Sequence, residues 1–95
     1  MPVVIVTGGA SGIGLACAQL LAEEGHRIAI WDIDAAKAES AASSISNETG
    51  GEIIGLGVDV AKLEQITNAI ESTRAKLGKI SGLVHAAGVT GVSPI

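Results

Sequence analysis

The sequence holds no tyrosine and no phenylalanine, and Trp31 is its one aromatic residue. A core without aromatic rings must be built from Val, Ile, Leu and Ala, which suits helices layered closely on a sheet. The lack of tyrosine also excludes any chemistry in which a phenol of this chain moves a proton. Cysteine is nearly absent too. Cys17 stands alone, so an internal disulfide is excluded and a metal site would lack cysteine ligands. A reduced cytosolic setting follows as the expectation. Positive charge is scarce, with six basic residues against ten acidic and a net charge of -4. Arg27, Lys37, Lys62, Arg74, Lys76 and Lys79 are scattered, which argues against a nucleic-acid or anionic-membrane surface. No basic residue precedes Arg27, and glycines at 8, 9, 12 and 14 interrupt the apolar start, against the pattern of a secretory signal. No apolar run reaches membrane-spanning length. The chain reads as cytoplasmic.

What is present is apolar and regular. Hydrophobic residues make up 47% of the 95, enough for one small core. Val3–Val6 (VVIV) reads as a strand buried on both faces. A helix is predicted over Ile13–Glu24, ended by Gly25. Arg27–Trp31 (RIAIW) is a second strand, stopped at Asp32. Asp34 can cap a helix over Ala35–Ser46, closed by Gly50-Gly51. Glu52–Val58 is a third strand, weakened by Gly55 and Gly57. Leu63, Ile66, Ile70 and Leu77 recur at helical spacing within Ala61–Leu77, before Gly78. Ile80–Ala87 (ISGLVHAA) is a fourth apolar strand. Strict strand–helix alternation implies a parallel α/β sheet with right-handed crossovers, half of a doubly wound fold.

Between the first strand and the first helix lies TGGASGIG, residues 7–14, with four glycines in seven residues from Gly8 to Gly14. Ordered glycine costs backbone entropy. The position explains the concentration: a helix N-terminus offers free N–H groups and a positive dipole end to an anion. Gly8, Gly12 and Gly14 let the backbone approach a pyrophosphate with no Cβ between. A tight turn alone needs one or two glycines. A P-loop is excluded, because Leu15 and Ala16 follow Gly14 where Lys-Ser/Thr is required. Asp32 ends the second strand, where a carboxylate can accept hydrogen bonds from both adenosine ribose hydroxyls. It would repel a 2′-phosphate by up to about 4 kcal/mol at 4 Å and an effective dielectric of 20, less after screening. The alternative for Asp32 is a helix cap or a solvated loop carboxylate.

Thr7-Gly8-xxx-Gly12-x-Gly14 and the order of elements around it resemble the short-chain dehydrogenases/reductases, over essentially the whole chain. The resemblance implies a Rossmann-type sheet of order 3-2-1-4. It places Gly8, Ser11, Gly12, Ile13 and Gly14 around the pyrophosphate, and Asp32 and Ile33 at the adenosine ribose. Ser11 and Ile33 stand where NADP-preferring relatives often carry Arg or Lys, so NAD is expected over NADP. Asp59 is implied at the adenine amino group, with Val60 beside the ring. Helix capping is the equal alternative for Asp59. His85-Ala86-Ala87-Gly88 stands at the family's Asn-Asn-Ala-Gly position. Ala87 and Gly88 match and fit a backbone near the cofactor ribose, while His85 departs. A lone His in an apolar strand reads first as a packed, hydrogen-bonded core residue rather than a base. Cys17 and Trp31 read as core or helix-face residues, and His26 as a side chain beside a helix end.

The family's hydride transfer uses a Tyr-xxx-Lys pair with a Ser and an Asn, and no Tyr is present here. No catalytic residue is therefore assigned, and no metal ligand. The chain reads as the N-terminal, NAD-binding portion of a longer oxidoreductase acting on a small alcohol or ketone. The resemblance also implies a dimer or tetramer. A fourth strand at an open apolar edge fits a fifth strand beside it. The rival reading is a stand-alone, non-catalytic dinucleotide-binding module completed by a partner.

Overall fold

The structure, a computed structural model, describes residues 2–10 and 12–86. Among them strands and helices alternate as β1 (Val3–Thr7), α1 (Gly12–Glu23), β2 (Arg27–Asp32), α2 (Ala35–Thr49), β3 (Ile53–Gly57), α3 (Leu63–Leu77) and β4 (Ile80–His85). All strand pairs are parallel and the order is β3-β2-β1-β4. This is the parallel half sheet that the alternation predicts, in the Rossmann-type order that the resemblance implies. Ala87 of the predicted fourth strand lies outside the described residues.

Two apolar layers hold the sheet. Val4 and Val6 of β1 join Ile28 and Ile30 of β2 under Ala18 and Ala22 of α1 and Ala38, Ala42 and Ile45 of α2. Val3, Ile5, Ala29 and Trp31 face the other way, against Val58 and the α3 residues Ala69 and Leu77. Successive strand residues point to opposite faces, so β1 and β2 must be apolar throughout. Their Val and Ile runs meet that demand.

Helix α2 runs one turn beyond its predicted end. Asp34 caps its start, Oδ1 accepting the Lys37 N–H at 3.1 Å. At its end Gly50 is left-handed, with φ 72, and donates to the Ser46 carbonyl at 2.8 Å. Thr49 Oγ1 donates to the Ile45 carbonyl, also at 2.8 Å. Polar Asn47, Glu48 and Thr49 are helical because the chain stops at glycine, not where its apolar pattern stops.

The glycines of β3 are not a weakness. A methyl group at Gly55 would run into the Ala38 carbonyl, and one at Gly57 would lie 2.6 Å from the Ala35 Cβ. Helix α2 sits backbone-to-backbone on β3, and its Ala-rich face permits the same approach from the other side. Helix α3 starts at Leu63 rather than Ala61. Asp59 Oδ1 instead accepts the Ala61 N–H at 3.0 Å in a turn, and Lys62 takes the cap position without a side-chain cap bond. The capping alternative for Asp59 is thereby corrected.

Strand β4 lies at the sheet edge, with Leu83 62% exposed. Ile80 packs on the α3 layer, but Ser81, Leu83 and His85 are exposed. No helix of the described residues is long and apolar enough to cross a membrane.

Candidate dinucleotide-binding site

The glycine loop leaves the carboxyl end of β1, where Gly8 takes φ 68 and Gly12 takes φ 59. Its start is pinned to β2. The Trp31 carbonyl accepts the Gly8 N–H at 2.7 Å and the Gly9 N–H at 3.4 Å. The glycines answer different demands. A Cβ on Gly9 would lie 3.0 Å from both Ile30 Cγ2 and the Val6 carbonyl oxygen. A Cβ on Gly14 would penetrate the Gly8 carbonyl and lie 3.0 Å from Gly9 Cα. By its place in the motif Gly14 is expected at the approaching ligand. The structure gives it another task, close packing of α1 on its own loop. At Gly12 an added Cβ would meet nothing within 4 Å, so this glycine borders open space.

That space adjoins the N-terminus of α1. The first-turn N–H groups of a helix have no intrahelical acceptors, and α1 has no acidic residue in its first turn to offset the dipole. Ile13, in the same turn, is 63% exposed. An anion with several acceptor oxygens fits this cradle.

Asp32 is half-buried at the end of β2. Its Oδ2 accepts the Ala10 N–H at 3.4 Å, and its Oδ1 accepts the Asp34 N–H at 3.0 Å. The carboxylate thus joins the glycine loop to the turn before α2. A cleft of about 280 Å³ opens beside it, lined by Gly8, Trp31, Asp32, Ile33, Val58, Asp59 and Val60. Five of the predicted residues meet here, Gly8, Asp32, Ile33, Asp59 and Val60. Asp59 and Val60 are half-buried, and Ile33 is 75% exposed at the rim. Asp59 N–H donates to Gln65 Oε1 at 2.8 Å, which fixes the residue from α3. Gly12, Ile13 and Gly14 stand apart from this cleft at the head of α1. Ser11, Ala87 and Gly88 lie outside the described residues.

Sequence reasoning missed Trp31 and Val58 as lining residues. Each immediately precedes a predicted one, and that adjacency was the available signal. Trp31 is buried, as the core reading expects, and its Nε1–H donates to Thr73 Oγ1 at 3.3 Å. Lys37 borders, with Ala10, a groove of about 450 Å³ between α1 and α2, so a cation stands near the loop.

His85 departs from its expected place. Its ring is hydrogen-bonded, with Nδ1 2.8 Å from Thr7 Oγ1, but it is exposed rather than packed in the core. The α3 layer reaches Ile80 and stops short of the far end of β4. Cys17 is half-buried on α1, and His26 Nδ1 donates to the Leu21 carbonyl at 3.1 Å by the helix end. A larger groove, about 510 Å³, lies among Glu71, Arg74, Ala75, Gly78 and Lys79. It is at the amino ends of the strands, away from the glycine loop. Ligands of open α/β sheets bind at the carboxyl ends, so volume does not select the site here.

The family model described as short chain dehydrogenase matches residues 2–95. The chain is 42% identical over 94 residues to 2-(S)-hydroxypropyl-CoM dehydrogenase 3 of Xanthobacter autotrophicus, covering 98% of this chain and 36% of that protein. It is 38% identical over 86 residues to the 3-oxoacyl-[acyl-carrier-protein] reductase FabG of Chlamydia muridarum, covering 90% and 35%. L-sorbose reductase from Gluconobacter frateurii, solved with NADPH and L-sorbose, superposes with a TM-score of 0.88 at 34% identity, over 99% of this chain and 36% of that one. An alcohol dehydrogenase from Thermococcus sibiricus, complexed with 5-hydroxy-NADP, superposes with a TM-score of 0.83 at 28% identity, over 87% and 35%. The chain spans about a third of the length of the curated relatives it matches. The glycine loop, the strand order and these likenesses agree, and the chain belongs to the short-chain dehydrogenase family.

Proposed function

We propose that this chain is the dinucleotide-binding part of an oxidoreductase that interconverts a small alcohol and a ketone. One observation carries the proposal: the glycine loop, the unneutralised head of α1 and the Asp32–Asp59 cleft share the carboxyl end of one parallel sheet. A bound nicotinamide dinucleotide supplies hydride transfer. The residues of this chain bind and orient it. Gly8, Ser11, Gly12, Ile13 and Gly14 surround the pyrophosphate, with Gly14 acting through loop shape. Asp32 and Ile33 take the adenosine ribose, and Asp59 and Val60 frame adenine. Ala87 and Gly88 pass near the other ribose. No tyrosine of this chain moves the protons of the reaction.

NAD is proposed over NADP. Asp32 supports this through its two carboxylate oxygens, which suit ribose hydroxyls and repel a 2′-phosphate. Lys37 offers a partial counterweight. The two solved relatives carry NADPH and an NADP derivative, so family membership alone does not choose. Calorimetric titration with NADH and NADPH tests the preference. NADH binds more tightly to the wild type, and Asp32→Asn narrows the gap. Equal affinities in the wild type refute it. A reducing, cytoplasmic compartment and a homo-oligomer belong to the same reading. Sedimentation of the native protein reads the second.

The missing tyrosine also favours a second reading, a non-catalytic module completed by a partner. Intact mass of the protein as its source makes it separates the two. A mass well above 9.4 kDa supports the oxidoreductase, and 9.4 kDa supports the module.

A further inference from the structure

Thr7 ends β1, is 3% exposed, and leads directly into Gly8. Two strands hold this junction. From β2, the Trp31 carbonyl receives the Gly8 and Gly9 N–H groups. From β4, the Ala86 N–H donates to the Thr7 carbonyl at 3.1 Å, and the His85 ring meets the Thr7 hydroxyl at 2.8 Å. Thr7 and His85 are register partners on neighbouring parallel strands, so their side chains leave the same face of the sheet. The hydroxyl has a second acceptor in the Val84 carbonyl, at 3.4 Å. That is a long bond for a hydroxyl donor. His85 Nδ1 is therefore the good partner of a buried hydroxyl at the entrance of the glycine loop.

We propose that His85 is a positioning residue for the dinucleotide, acting through Thr7. The proposal rests on the dinucleotide reading above. When the ring carries its proton on Nε2, the hydroxyl donates to Nδ1. When Nδ1 carries it, the ring donates to the hydroxyl oxygen and the hydroxyl turns to the Val84 carbonyl. Either arrangement fixes Thr7 Oγ1 and with it the backbone that turns into Gly8. Without the ring, the hydroxyl keeps only its long bond to Val84, and β4 holds the loop entrance through backbone pairing without a side-chain tie of normal length.

The atom involved makes the idea testable. Nδ1 lies as far from Cβ as the amide group of asparagine, whereas a glutamine amide reaches out to the place of Nε2. Binding of NADH is measured by calorimetry on the protein as its source makes it. His85→Asn restores the contact and keeps the dissociation constant within about twofold, whereas His85→Gln and Thr7→Val each weaken binding about fivefold, the loss of one ordinary hydrogen bond. The double variant loses no more than either single one, because both remove the same contact. The proposal is overturned if His85→Gln binds as the wild type does, if Asn and Gln weaken binding alike, or if the two losses add. A lower unfolding temperature with unchanged NADH affinity also overturns it, since a merely structural brace does that. Should His85→Gln not fold, Thr7→Val, nearly isosteric, reads the same contact. A wild type that binds neither NADH nor NADPH overturns the dinucleotide reading and this proposal together. Normal wild-type binding with unaffected variants overturns this proposal alone.

Discussion

Gly14→Ala separates packing from ligand approach. The added methyl group would enter the Gly8 carbonyl and lie 3.0 Å from Gly9 Cα. Ordinary contact begins about 0.4 Å further out, and the obstacles are backbone atoms of a loop already pinned to the Trp31 carbonyl. No side chain can swing aside. The head of α1 must lift from the loop, at the upper end of the ~1–3 kcal/mol that overpacking costs. For a domain of this size each kcal/mol lowers the melting temperature by about 4–8 °C, so a fall of roughly 12–24 °C is expected. Gly12→Asn is the control. Its φ of 59 lies in the left-handed region that Asn tolerates, and the space around its Cβ is empty. That variant loses under about 1 kcal/mol of stability. It weakens NADH binding, because its side chain enters the space proposed for the pyrophosphate. Urea unfolding without ligand, followed by calorimetry with NADH, reads both effects. Equal unfolding midpoints for the two variants refute the packing assignment. Unchanged NADH affinity in Gly12→Asn refutes the ligand assignment.

Other substitutions probe the frame around the site. Asp34→Ala removes the carboxylate that accepts the Lys37 N–H at 3.1 Å, and costs about 1 kcal/mol in urea unfolding. Gly55→Ala drives a methyl group into the Ala38 backbone and destabilises by ~1–3 kcal/mol, whereas a strand limited only by glycine entropy would gain stability. Trp31→Phe deletes the bond to Thr73 Oγ1, leaves that hydroxyl buried, and costs about 1–3 kcal/mol on the same assay. Trp31 also lines the cleft, so its fluorescence changes when NADH is added to the wild type and a flat signal counts against the cleft as the site.

The sheet was legible because its signals are local. VVIV and RIAIW are apolar enough for strands buried on both faces, and a glycine follows each of the three helices, at Gly25, Gly50 and Gly78. Where the reading failed, the cause sits on another element. Gly55 looks like a gap in a strand until Ala38 of α2 is placed above it. Gly14 looks like a ligand-facing glycine until the Gly8 carbonyl is found beneath it. The last turn of α2 is polar and follows from Gly50, Ser46 and Thr49, not from apolar periodicity. His85 follows an apolar run and so reads as core, but burial there depends on what covers β4, and α3 reaches only its beginning. The place of Asp32 beside the glycine loop, by contrast, is readable from chain position, since β2 pairs with β1 and its carboxyl end meets the loop that leaves β1.

Amide chemical-shift mapping with NADH, on the protein as its source makes it, locates the bound dinucleotide. Shifts are expected at Gly8, Gly9, Ala10, Gly12, Asp32, Asp59 and Val60, with Gly78 and Lys79 at the other end of the sheet unmoved. Shifts confined to the groove at Gly78 and Lys79, or none anywhere, would contradict a dinucleotide site at the glycine loop.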